Sequence, residues 1–258
     1  MLFRSISALA RYGDVAAVDA AFAKAAHVVS LSIENQRLIP APMEPRSTLA
    51  WYEADTGRIT MRMSTQMPAG VRNSLCDAVL GLPRDKVRIL ATDVGGGFGG
   101  KTGIYPEDVV LAHAARVLGR PVKWIAERSE EFLSATHGRD IDTCAQMALS
   151  EDGKVLALRV HTVANVGAYA LGSGVAIQVM IGPWVQTSIY DIQTIDFQYT
   201  AVMTNTTPTG PYRGAGRPEA IYIIERLMDA AARKAGIDGA ELRLRNMVQP
   251  DQIGRAHV

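Results

Sequence analysis

Apolar and polar residues alternate one by one along His27-Val28-Val29-Ser30-Leu31-Ser32-Ile33-Glu34-Asn35, the period-two pattern of a half-buried strand. The same reading predicts strands at Leu49–Glu53 and Ile59–Met63, joined as a hairpin through Asp55-Thr56-Gly57. Further strands are expected at Lys86–Asp93, Pro121–Ile125 and Ile192–Met203, and two long ones between Asp140 and Val166 around the turn Glu151-Asp152-Gly153. Helical spacing appears at Asp14–Ala26 behind an acidic N-cap, and at Ala69–Leu80, which Gly81 stops. Tyr105–Leu118 opens with Pro106 and two acids and closes at Gly119; Pro218–Ala235 and Gly239–Asn246 follow late in the chain. The three prolines of Arg37–Arg46 predict an extended or turning segment around Met43 and Glu44, and the glycine-spaced apolar stretch after Tyr169 has no clear period. This order predicts an α+β fold of mixed sheets with antiparallel hairpins and flanking helices.

Composition narrows the picture. The chain has 258 residues, 48% of them hydrophobic and 21% charged, enough to build a sizeable core. A net charge of +1 without a run of lysine and arginine argues against a nucleic-acid partner. The longest apolar stretch, Val175–Val185, is broken by Gln178, Gly182 and Pro183 and is too short to span a bilayer, so a cytoplasmic protein without membrane contact is expected. Cys76 and Cys144 are too few for a zinc site or an iron–sulfur cluster and are expected to be reduced, buried thiols. His27, His113, His137, His161 and His257 show no pairing or metal spacing. The ends, Met1–Ser5 and Ile253–Val258, read like a sequencing-library adaptor translated on opposite strands. The expected organisation is therefore adaptor residues 1–5 and a linker or helix within 1–26, part of a larger domain over 27–252, and adaptor residues over 253–258.

Two glycine-rich connections carry the chemistry. Five glycines surround one aromatic in Val94-Gly95-Gly96-Gly97-Phe98-Gly99-Gly100-Lys101-Thr102. Glycine costs roughly 0.5–1 kcal/mol relative to alanine inside an element, so such a run implies positive φ angles or a ligand lying against bare N–H groups. The loop joins a strand to a helix, a common position for phosphates and other anions. Residues Gly95, Gly100, Lys101 and Thr102 also satisfy G-x-x-x-x-G-K-[ST], which makes a P-loop nucleotide hydrolase the competing reading. Gly103 and Pro106 delay the helix that a P-loop would start at its lysine. The second connection, Thr204–Glu219, places Arg213 and Arg217 among glycines and prolines, where a guanidinium and a helix N-terminus could hold an anion. A non-catalytic binding or assembly module is a third reading.

VGGGFGGK, PYRGAGR and the tail ERLMDAAARKAGIDGAELRLRNM together resemble the molybdenum-cofactor-binding large subunit of the xanthine dehydrogenase, aldehyde oxidase and carbon monoxide dehydrogenase family. The resemblance runs from about His27 to Gln252 and implies the molybdopterin-binding fold of that family. It implies an oxidoreductase that hydroxylates or oxidises a small molecule at molybdenum held by a pterin dithiolene, in the cytosine dinucleotide form, without a protein ligand to the metal. Electrons would pass to [2Fe–2S] clusters and FAD on partner subunits in a dimer of heterotrimers. By the same resemblance Gln66 matches the glutamine that hydrogen-bonds a molybdenum oxo group. Gly97 matches the cofactor cradle, Phe98 and Gly99 the residues beside the metal, and Arg213 the loop arginine at the cofactor region.

Departures from the family bear on substrate. Xanthine-oxidising members have glutamate where this chain has Thr102, phenylalanine where it has Ala215, and an arginine that falls at Ile181. Each unmet buried hydrogen bond would cost a purine about 1–3 kcal/mol, so purine hydroxylation is not expected. Copper-containing carbon monoxide dehydrogenases carry cysteine directly after the loop arginine, where this chain has Gly214. The resemblance thus favours the RGAGR-type relatives and an aldehyde or aromatic heterocycle as substrate. The family's general-base glutamate is expected beyond Gln252, so no catalytic residue is assigned within the chain, which is expected to be an inactive fragment by itself.

Overall fold

The computed structural model describes residues 5–249. The adaptor-like residues 1–4 and 253–258, with His257, lie outside them. Two compact units divide the chain: one comprises the chain up to Leu38, Gly138–Gly210 and the stretch from Gly214 onward; the other comprises Ile39–His137 and Pro211–Arg213.

The first unit is a five-stranded sheet with helices. Its strands are β1 (Ile6–Gly13), β2 (His27–Asn35), β7 (Ile141–Leu149), β8 (Val155–Gly167) and β9 (Ile195–Met203), in the order β1-β9-β8-β7-β2. Alternation puts Val29 and Ile33 of β2 into the core with Ala145, Met147, Leu158, Val160 and Phe197. Helix α7 (Arg217–Ala235) packs on β2 and β7 and buries Ala220, Ile223, Ile224, Leu227, Met228 and Ala231, the three-and-four spacing of one helical face. Each fully buried Leu or Ile contributes roughly 1.5–3 kcal/mol. Gly236 (φ +67°) ends α7, and Asp238 caps α8 (Gly239–Asn246) through the N–H groups of Ala240 and Glu241. Helix α1 (Val15–Lys24) is capped by Asp14 and buries Val18 against Ala148 and Ala157.

The second unit is a four-stranded sheet in the order β5-β4-β3-β6, made of β3 (Ser47–Glu53), β4 (Arg58–Met63), β5 (Val87–Leu90) and β6 (Val122–Ile125). Helix α3 (Pro106–Leu118) lies on it, with Leu111, Ala112 and Ala115 packed among Ala50, Ile59 and Met61. Helix α2 (Pro68–Ser74) runs on through wide π turns at Leu75–Leu80 until Gly81 takes φ +60°. A short helix, α4 (Arg128–Ser134), follows β6.

The α+β class and most elements agree with the sequence reading; the differences have physical causes. Strand β1 is not predicted, because its inward positions, Ala8, Ala10 and Tyr12, carry little hydrophobic contrast and its order comes from antiparallel pairing with β9. Helix α4 is too short and too polar for a periodic signal. The stretch after Tyr169 becomes α5 (Gly172–Ala176), π turns at Ile177–Ile181 and α6 (Gly182–Trp184), a mixture of pitches that defeats any single period. The pairs β4–β5 and β8–β9 are parallel, which strand patterns alone do not encode. Cys76 is buried as expected, and burial pushes its thiol up. Cys144, expected to be buried, lies exposed on the solvent side of β7, where the alternation that buries Thr143 and Ala145 turns it outward. No helix among the described residues is long and apolar enough to cross a membrane.

Candidate functional site

In the second unit the glycine loop folds around the side chain of Gln66, which follows β4. Gln66 Oε1 accepts the Gly99 N–H at 2.9 Å and the Lys101 N–H at 3.3 Å, while the Gln66 N–H donates to the Lys101 carbonyl at 2.9 Å. Its oxygen thus holds two backbone donors, whereas among the described residues the Gln66 NH2 group donates to no protein acceptor, and the residue is exposed. Gly97 is obligatory for this arrangement: a Cβ there would lie 2.4 Å from Gln66 Oε1. At Gly99 (φ +101°) a Cβ would lie 2.3 Å from the Pro211 carbonyl oxygen. Phe98 holds φ +50°, a conformation an aromatic residue seldom takes, and the residue is 43% exposed.

Pro211–Arg213 completes the loop's surroundings in this unit. The Arg213 N–H donates to the Phe98 carbonyl at 2.9 Å, and the guanidinium carbon stands 6.0 Å from the centre of the Phe98 ring. Thr102 turns its hydroxyl to the Gly99 carbonyl at 2.9 Å and so closes the turn. Thus Gln66, Gly97, Phe98, Gly99, Thr102 and Arg213 are brought together. Ile181 and Ala215 belong to the first unit. There, a Cβ on Gly216 would lie 2.9 Å from the Gly182 nitrogen, so the segments carrying Ile181 and Ala215 run against each other. Gly214, Ala215 and Gly216 hold φ of +95°, +47° and +88° in succession.

Lys101 behaves unlike a P-loop lysine. It is 2% exposed, and its Nζ donates to the Glu44 carbonyl (2.7 Å), Glu44 Oε2 (3.2 Å) and Ser64 Oγ (2.6 Å). All three ammonium donors are satisfied inside the protein, which leaves none for a phosphate. Glu44 Oε2 also accepts the Ser64 hydroxyl and the Gly95 N–H, each at 2.7 Å. Glu44 and Ser64 were not legible as site residues. The one available signal was an acid set among three prolines.

A family profile described as the molybdopterin cofactor-binding domain matches residues 4–247. The chain belongs to that family. This chain is 38% identical over 244 residues to the carbon monoxide dehydrogenase large chain of Hydrogenophaga pseudoflava, covering 93% of this chain and 30% of that one. It is 35% identical over 242 residues to the nicotine 6-hydroxylase large subunit of Paenarthrobacter nicotinovorans, covering 93% and 29%. The solved structure of quinoline 2-oxidoreductase from Pseudomonas putida 86 superimposes with a TM-score of 0.91 at 33% identity, covering 96% of this chain and 32% of that one. The chain therefore spans roughly a third of the length of these relatives.

The loop suits such a cofactor chemically. Among the described residues the N–H groups of Gly97 and Phe98 and the NH2 group of Gln66 donate to no protein acceptor. Bare donors over a surface without side chains are what an oxygen-rich, anionic group requires.

The glutamate beneath the loop also gives the domain a pH signature. Burial alone would push Glu44 up, but the Ser64 hydroxyl, the Gly95 N–H and the Lys101 ammonium together hold its carboxyl below the usual carboxylate range. A depressed carboxylate contributes stability above its unfolded value, near 4.5, and loses it as pH falls through the folded value. Glu44→Gln should therefore flatten the fall in thermal midpoint between pH 6 and pH 3. Scanning calorimetry would refute this if both proteins lost stability in parallel.

Proposed function

We propose that the protein containing this chain is a molybdenum-dependent oxidoreductase acting on an aromatic nitrogen heterocycle or an aldehyde. Its molybdopterin would be the cytosine dinucleotide form, and electrons would leave through [2Fe–2S] and FAD partner subunits in a dimer of heterotrimers. The carrying observation is Gln66, whose oxygen is pinned by two loop N–H groups while its amide donors, like the N–H groups of Gly97 and Phe98, have no acceptor among the described residues. Bound molybdenum would supply the oxidising chemistry; Gln66, Gly97, Phe98, Gly99 and Arg213 would hold the cofactor. Gln66 would donate a hydrogen bond to an oxygen of the metal centre, orienting it without ligating the metal. Phe98, exposed and stiffened by its own φ, would form a wall beside the centre, and Thr102 would face the substrate.

Two features support the substrate class. The named substrates of two relatives, nicotine and quinoline, are nitrogen heteroaromatics. A copper thiolate of the carbon monoxide type has no room here, because a Cβ at Gly214 would lie 2.4 Å from Pro218 Cγ on a backbone with φ +95°. The decisive experiment is metal analysis of the intact protein purified with its partners, followed by dye reduction with quinoline and with benzaldehyde. Absence of molybdenum would defeat the proposal.

The isosteric change Gln66→Glu provides a sharper check. It keeps an acceptor for the Gly99 and Lys101 N–H groups but replaces the amide donor with a negative charge. Loss of one preorganised donor typically costs 10²–10³ in rate, so turnover should fall roughly a hundredfold or more with the thermal midpoint little changed. Steady-state kinetics giving a variant within threefold of the parent would remove Gln66 from the site.

A further inference from the structure

We infer that Glu44 is a positioning residue, and that the proline-rich strap Pro40–Pro45 sets the shape of the glycine loop through it. The strap itself is anchored from α4. Arg128 Nη2 donates to the Pro42 carbonyl at 2.6 Å and the Met43 carbonyl at 3.0 Å. Prolines at 40, 42 and 45 restrict the strap's backbone, so little ordering entropy remains to be lost when it is held. From this strap the Glu44 N–H donates to the Gly95 carbonyl at 3.2 Å, and Glu44 Oε2 receives the Gly95 N–H, the Ser64 hydroxyl and the Lys101 ammonium.

The loop is thus gripped at both ends by one half-buried side chain: at Gly95 directly and at Lys101 through an ion pair whose ammonium is buried. Between these grips lie Gly97, Phe98 and Gly99. A Cβ at Gly95 would lie 2.5 Å from Glu44 Cβ, so the strap fits against the loop backbone only because that residue is glycine. Lys101, which the P-loop pattern would send to a phosphate, is an internal strut. Its partner is charged, so the ammonium is compensated without any ligand, and the loop is preorganised before anything binds. The part of the inference concerning cofactor retention rests on reading the loop as the cofactor cradle; the part concerning loop order does not.

Hydrogen exchange by mass spectrometry on the 258-residue chain tests the loop order. Glu44→Gln removes the charge, and Ser64→Ala removes the bridging hydroxyl with little else, which keeps the test valid if the first variant folds poorly. Hydrogen bonds to charged groups have strengths that correspond to roughly tenfold to hundredfold changes in opening, so exchange over residues 94–102 should rise by that factor in Glu44→Gln. The first unit and α3 should exchange as in the parent. Adding Lys101→Met to Glu44→Gln should recover part of the protection, since no buried cation is then left without its partner. Unchanged exchange in the loop, or equal acceleration throughout the chain, would overturn the inference. In the intact protein, molybdenum content should fall in the order parent, Ser64→Ala, Glu44→Gln. Molybdenum absent from all three would count against the proposed function while leaving the exchange result to decide the role of Glu44.

Discussion

Arg46→Ala is expected to destabilise the second unit by about 3–5 kcal/mol, the typical result of removing one partner from a buried ion pair. Arg46 is 4% exposed and Glu131 2%. Its Nε and its own backbone N–H both reach Glu131 Oε2 at 3.1 Å, Nη2 reaches Ser134 Oγ at 2.6 Å, and Nη1 reaches Glu107 at 3.5 Å. The guanidinium carbon lies 3.8 Å from the centre of the Tyr105 ring and 5.5 Å from that of Trp124. One cation thus ties the start of β3 to α3, α4 and β6. Truncation leaves the Glu131 carboxylate in the interior with a single backbone donor, the costly half of a broken pair. Lysine should not restore stability, because it lacks the planar fork and the stacking face. The double variant Arg46→Met, Glu131→Leu should lose much less than the single one, since no charge is stranded. Urea denaturation followed by tryptophan fluorescence would contradict the argument if Arg46→Ala stayed within 1 kcal/mol of the parent.

What could be read from the sequence follows from what is local. Alternation in His27–Asn35 gave β2 to the residue, and Gly81, Gly119 and Gly236 ended their helices in the left-handed conformation that glycine favours. The loop at 94–102 stood out as a candidate ligand cradle because five glycines in one connection are too costly to keep without positive φ angles or a close approach to bare backbone. Its supports were not legible. Glu44 lies 57 positions from Lys101 and 51 from Gly95, and Arg46 lies 85 from Glu131, so only the folded chain discloses those pairs. The resemblance pointed to Gln66, but not to the physical reason for its orientation. That reason is two backbone N–H groups on one amide oxygen. The lysine was misleading by itself: the pattern G-x-x-x-x-G-K-[ST] describes spacing, whereas burial and three acceptors decide where an ammonium points.

The two glycines on either side of Phe98 should respond to the same substitution in different ways. Gly99→Ala places a methyl group 2.3 Å from a backbone oxygen, that of Pro211, at φ +101°, where an L side chain is strained whatever the space. Neither partner can step aside without moving the chain, and strain of this kind costs on the order of 1–3 kcal/mol before the clash is counted. The second unit should melt several degrees lower, and the Arg213 N–H, bonded to Phe98, should exchange faster. Gly97→Ala instead meets the far end of a flexible side chain, Gln66 Oε1 at 2.4 Å, with Cδ at 2.5 Å. Gln66 can swing away without moving the chain, at the cost of the two hydrogen bonds its oxygen accepts, about 0.5–1.5 kcal/mol each. In doing so it releases the Gly99 and Lys101 N–H groups and displaces its own amide. Gly97→Ala should therefore lose less stability than Gly99→Ala yet lose protection at those two amides, and in the intact protein turnover should fall by roughly 10² or more, as when a preorganised donor is removed. Calorimetry, residue-resolved exchange and kinetics on both variants separate the cases. Equal loss of stability in the two would mean that Gln66 is fixed from elsewhere and that its contact with Gly97 does not set its orientation.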